Sequence, residues 1–139
     1  MKPVPALVPH AGAMVLLDRV EAWDADAVHC RARSHLDTAN PLRRAGRLSA
    51  CCGLEYALQA AAVHGALLAG SAAQAAGYVA SLRAVELHVP WLDDPAFGEL
   101  HVHARREHSE AGGMLYGLEV RSEAGAVLIS GRASIALPA

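Results

Sequence analysis

From Ser49 to Leu68 the chain carries little but Ala, Leu, Val, Cys and Gly, and after Ser49 its only polar side chains are Glu55, Tyr56, Gln59 and His64. A run of this length without proline reads as one long helix, with Ser49 placed to cap its first turn. A helix apolar on nearly every side needs cover all round. Its one acid, Glu55, is expensive to bury unless it is partnered or functional. Gln59 lies one turn on and shares the face of Glu55, whereas His64 falls on the opposite face and cannot pair with Glu55 within the helix.

The flanking segments say what could supply that cover. Met14 to Val20 is mostly apolar, Glu21 to Asp26 reads as a polar turn, and in the next run Val28, Cys30 and Ala32 alternate with His29, Arg31 and Arg33. A period of two suits a strand with one wet face, and the pair reads as a hairpin. Ser34 to Leu48 has no period and holds Asp37, Asn40, Pro41 and Gly46, so it is expected to be loop, made locally basic by Arg43, Arg44 and Arg47. After a small-residue connection from Gly70 to Gly77 come four strand-like runs, about 78–89, 98–107, 114–122 and 127–137. The turn-like Glu110-Ala111-Gly112-Gly113 and Glu123-Ala124-Gly125-Ala126 make this half an expected antiparallel meander. The layout is α+β: one domain over residues 1–139, a curved antiparallel sheet wrapped around a long central helix, with a second subunit completing the cover.

Composition narrows the function classes. Apolar residues make up 53% of the 139 residues and aromatics only 4%, so the core is built from small side chains that leave room for a ligand or a partner. A net charge of −2 without like-charge runs argues against nucleic acid. The apolar opening segment is too short to span a membrane and lacks a signal-peptide core, which points to a cytoplasmic protein. Three cysteines, two of them adjacent at Cys51 and Cys52, read as reduced thiols, and that pair as buried small hydrophobes rather than reactive thiols at a helix N-terminus; no spacing resembles a zinc site, and neither metal nor cofactor is expected.

Two motifs carry a resemblance. Pro9-His10 followed by Met14-Val15-Leu16-Leu17-Asp18-Arg19-Val20 resembles the N-terminal motif of the 3-hydroxyacyl-acyl carrier protein dehydratases, and Glu55-Tyr56-Ala57-Leu58-Gln59-Ala60 resembles their helix motif. Gly53-Leu54-Glu55-Tyr56 and Tyr78-Val79-Ala80-Ser81-Leu82-Arg83 look most like the dehydratase branch associated with aryl-polyene pigment clusters. The resemblance covers essentially the whole chain. It implies a hotdog fold, dimers that join their sheets side by side, and active sites at the dimer interface, where an acyl chain enters on a phosphopantetheine arm. One departure stands out. The family's Gly-His-Phe-Pro segment, whose His removes the α-proton, would fall near Asn40-Pro41, and no His stands between Leu36 and Glu55.

Dehydrating a 3-hydroxyacyl thioester takes a base near the α-carbon, an acid near the 3-hydroxyl and donors for the enolate oxygen. Glu55 suits the acid, since burial helps a carboxyl to keep its proton. For the base, His10 comes first, because by resemblance the Pro-His segment lines the acyl tunnel, and His35 second; His64 reads as packing, and His29, His101 and His103 as residues on wet strand faces. First-turn amides around Ala50 to Gly53 could receive the thioester carbonyl at the positive end of the helix dipole. Asn40 could orient a water or a carbonyl, and Gln59 could position the Glu55 carboxyl. Arg43, Arg44 and Arg47 stand where an acidic carrier protein would arrive, or are a solvated loop.

Three readings remain open on the residues: a dehydratase acting on acyl carrier protein or coenzyme A thioesters in fatty-acid or polyene-type biosynthesis; a half-catalytic subunit pairing with a complete dehydratase; or an acyl thioesterase. The assembly would be a homodimer, a heterodimer with a related hotdog subunit, or a higher oligomer.

Overall fold

The computed structural model describes residues 4, 12–70, 78–110 and 112–136. The central helix, α1, spans Gly53–Leu68, and six strands surround it: β1 (Arg19–Trp23), β2 (Ala27–Ala32), β3 (Tyr78–Leu87), β4 (Leu100–Glu110), β5 (Gly113–Arg121) and β6 (Val127–Ala136). They form one antiparallel sheet in the order β1-β2-β4-β5-β6-β3.

The period-two alternation sets which face turns inward. Val28, Cys30 and Ala32 on β2, and Leu100, Val102 and Ala104 on β4, are buried against Tyr56, Ala57, Ala60, Val63 and Ala66 of α1 in a single core. Their neighbours His29, Arg31, His101 and His103 look outward. The small side chains of α1 let the sheet lie close. At Gly53 the approach is tight: a Cβ there would stand 2.8 Å from Ile129 Cγ2 on β6.

Three expectations shift. The first strand lies at Arg19–Trp23 rather than Met14–Val20, because β1 is an exposed edge strand whose polar residues imitate a turn. The turn itself is Asp24–Asp26, where Asp24 Oδ1 accepts from the amides of Asp26 and Ala27. The meander holds for β4-β5-β6, but β3 crosses to the far side of the sheet and pairs with β6. There β3 forms an edge, with Val79, Leu82, Val85 and Leu87 exposed.

Candidate functional site

The chain enters α1 through a 3-10 turn, Ala50–Cys52, and Ser49 makes no side-chain cap. Its hydroxyl lies instead 3.2 Å from Cys51 Sγ. The tight turn uses up amides expected for a ligand: Ala50 N donates to Pro90 O at 3.0 Å, Cys52 N donates to Ser49 O at 3.0 Å, and Gly53 N donates back into the turn. Ala50 is fully buried, so both it and Gly53 act in this chain as packing positions with occupied amides.

Glu55 is exposed, not buried as the all-apolar helix suggested. It heads a stripe of half-buried positions, Leu58, Ala62 and Gly65, that the chain's own sheet leaves uncovered. No hydrogen bond or ion pair reaches Glu55 from any described residue. Among the described residues nothing covers this face, and for that reason composition alone misjudged it.

Gln59 is buried but does not serve Glu55. Its Oε1 accepts from Leu16 N at 2.9 Å and its Nε2 donates to Met14 O, so the side chain clamps the segment ahead of β1 onto the helix. The two stretches that carried the family resemblance are thus physically joined.

Asn40 is buried as well, and its amide is engaged throughout. Nδ2 donates to Ser34 O at 2.9 Å and to Tyr56 Oη at 3.0 Å, while Oδ1 accepts from Leu42 N at 2.9 Å. Ser34 Oγ spends its proton on Leu16 O, so Tyr56 donates to Ser34 Oγ, at 2.7 Å. Burial pushes the Tyr56 phenol up to about 12, which keeps it neutral. The chain from Asn40 through Tyr56 and Ser34 to Leu16 fixes the loop beside the residue next to Glu55. Val15, Asp18, Arg33, Asn40 and Pro41 line an open groove at that loop.

The described histidines are engaged elsewhere or enclosed. His35 is fully buried, with no well-formed hydrogen bond from a described residue at either ring nitrogen; burial holds its pKa below the usual imidazole value although the Gly98 backbone favours the charged form. His64 donates from Nε2 to Asp24 O at 2.8 Å and meets the Tyr116 hydroxyl at Nδ1, 2.7 Å away, a packing role under the sheet. His10, first in line as the base, lies outside the described residues.

The basic loop is largely internal scaffolding. Arg43, only 12% exposed at its side chain, donates to the carbonyls of His35, Asp37 and Gly46 and pairs with Asp93 at 3.3 Å. Arg47 makes two hydrogen bonds to Asp93 and stacks over Trp91, 4.3 Å from its ring centroid. Arg44 is exposed and bonds to the carbonyls of Pro41 and Arg43. No described helix is long and apolar enough to cross a membrane.

Comparison with known proteins follows this geometry. Among curated protein sequences, none gives a significant match. Of the solved structures, the dehydratase heterocomplex ApeI:P from Xenorhabdus doucetiae is similar to this chain at a TM-score of 0.84 with 24% identity, covering 100% of this chain and 93% of that one. AziG from S. sahachiroi follows at 0.63 and 19%, covering 91% and 94%. A hypothetical thioesterase with coenzyme A from Streptococcus pneumoniae TIGR4 gives 0.61 and 11%, covering 86% and 84%. These likenesses establish the hotdog fold. A family model described as ApeP dehydratase matches residues 2–139. With that match over nearly its whole length, the chain belongs to the ApeP-like dehydratase family.

Proposed function

We propose that this chain supplies Glu55 as the general acid of a site that dehydrates 3-hydroxyacyl thioesters, and that a second hotdog subunit completes the site and brings the base. The observation that carries this is the setting of Glu55: an exposed carboxyl with no partner among the described residues, at the head of an apolar stripe on α1 that the described residues leave uncovered. Leu58, Ala62 and Gly65 offer an apolar wall for an acyl chain or for the partner that encloses it. The exposed apolar edge of β3 offers a second subunit a strand to extend. The similar ApeI:P structure is itself a heterocomplex.

In this reading the partner's base removes the α-proton of the thioester. The electron pair left on the α-carbon forms the double bond to C3 as the C3–O bond breaks, and the Glu55 proton goes to the departing hydroxyl, which leaves as water. Closure by the partner removes solvent from Glu55, the condition under which a carboxyl holds a proton for donation. Asn40 and Tyr56 contribute by holding the loop and helix in register. A carrier protein or coenzyme A would present the substrate, with Arg44 and Arg47 the exposed cations of the loop beside α1.

The test is conversion of a 3-hydroxyacyl carrier-protein substrate to its 2-enoyl product, followed by mass spectrometry, for the chain alone and with a companion hotdog dehydratase subunit. The expected result is turnover by the pair and its loss in Glu55→Gln. Full activity of Glu55→Gln in the pair would overturn the acid role. Turnover by the chain alone would place the base within its own dimer, and release of free thiol without an enoyl product would mark a thioesterase.

A further inference from the structure

The outward face of the sheet holds a second arrangement, on the side opposite α1. His29 on β2 is the cross-strand partner of His103 on β4, and His101 stands two residues before His103 on the same face. The rings of His29 and His103 stack with centroids 4.4 Å apart, and His29 Nε2 lies 2.8 Å from His101 Nδ1. One ring nitrogen from each of the three lies within 4.8 Å of the others. We propose that His29, His101 and His103 bind one divalent transition-metal ion of the zinc class, stapling β2 to β4 on the outer face of the sheet.

The donor chemistry fits. Imidazole is a common ligand for this class of ion, at about 2.0–2.1 Å, so two ligands of a tetrahedral centre stand about 3.4 Å apart. His101 Nε2 is 3.2 Å from Glu123 O, and a carbonyl can only accept, so the proton sits on Nε2 and the Nδ1 lone pair points into the cluster. A ligand imidazole held by a backbone carbonyl at its far nitrogen is the usual outer-shell support of a metal site. His29 now donates from Nε2 to that lone pair. When the ion takes it, His29 moves its proton to Nδ1 and offers Nε2, and no net proton is lost.

Most of the cations around the cluster are paired with carboxylates, with Arg105 lining the same groove. Arg31 is turned to Glu99 and Glu21, and Arg121 to Glu119 and the Gly125 carbonyl. Glu119 faces His103 in the β4–β5 register and leaves a fourth position to itself or to water. An open groove of about 820 Å³ gives access from solvent. The expectation of no metal rested on cysteine spacing. This cluster is assembled across strands and has no spacing signature.

The test titrates the full chain, first stripped with a chelator, with Zn²⁺ by calorimetry and with Co²⁺ by its visible spectrum. One ion per chain is expected, with a tetrahedral Co²⁺ spectrum. Outer-shell losses cost roughly 10–100-fold in affinity, so His103→Ala and His29→Ala should each weaken binding by about 100-fold or more. His88→Ala, an exposed histidine away from the cluster, should bind as the wild type does. Circular dichroism of the metal-free variants checks their folding, and His29→Gln serves if His103→Ala does not fold. Absence of saturable binding to the wild type, or undiminished binding by the His29 variants, overturns the proposal.

Discussion

Gln59 grips the backbone ahead of β1 through Leu16: its Oε1 accepts the Leu16 amide at 2.9 Å, and its Nε2 donates to the carbonyl of Met14. The side chain takes the place of a neighbouring strand for a segment that has none. Gln59→Leu keeps the volume but strands a buried amide and a carbonyl, each costing about 1–3 kcal/mol when left unpaired. Urea denaturation is expected to show a loss of roughly 2 kcal/mol or more. Hydrogen exchange should show the Leu16 amide losing protection before the strands do, and equal protection in both proteins would mean that the clamp is incidental.

Gly53, six residues before Gln59 at the start of α1, makes a separate prediction. Ala is the better helix former by roughly 1 kcal/mol. A Cβ at Gly53, however, would stand 2.8 Å from Ile129 Cγ2 and 3.6 Å from Val120 Cγ2, both in the core. Overpacking of this kind costs about 1–3 kcal/mol, so Gly53→Ala should be net destabilising. Because the clash is with one methyl, adding Ile129→Ala should give a double variant less destabilised than the sum of the two. Strict additivity in the thermal or urea data would remove the steric explanation.

These two residues also show how far the sequence can be read. The period of two in Val28, Cys30, Ala32 and in Leu100, Val102, Ala104 named the inner face correctly, because alternation is a local property of a strand beside a core. The helix was legible from its length and apolarity. What failed depended on partners distant in sequence. Gln59 shares a helix face with Glu55, yet its hydrogen bonds go to Leu16 and Met14. Arg43 and Arg47 read as a free basic loop, yet Asp93 pairs with both and Arg43 is drawn inward. Glu55 read as buried because sequence does not tell which face of a helix the chain's own sheet covers. The gathering of His29, His101 and His103 is a matter of strand register, which no linear spacing records.

His35 separates a structural from a catalytic role. It is fully buried and, among the described residues, both ring nitrogens lack well-formed hydrogen bonds, so as a structural residue it costs free energy where it stands. His35→Leu, of similar volume, is expected to raise stability by about 1 kcal/mol. Dehydration by the assembled pair should be unchanged. A variant that is more stable but inactive would assign His35 to the reaction as base or positioning residue, the role given second place after His10.

Acid should destabilise the chain through Glu99 before most of its other carboxylates matter. Its side chain is only 8% exposed and meets Arg19 at 2.9 Å, Arg31 at 3.0 Å and Arg33 at 2.9 Å. The hydrogen bond from Arg19, followed by that from Arg33, holds the carboxyl down to about 2, against 4.5 for a free glutamate. The folded pKa lies below the unfolded one, so the unfolded chain takes up the proton first. The contribution is therefore complete above about pH 4.5 and is lost as pH falls from there toward 2. Glu99→Gln should lower stability at pH 7 and flatten the pH dependence across that window. Glu21→Gln removes a carboxylate that is 41% exposed, where ion pairs are worth about 0–1 kcal/mol, and should do little. Urea midpoints measured from pH 7 to pH 2.5 decide it: a wild-type slope that survives in Glu99→Gln would locate the acid sensitivity elsewhere.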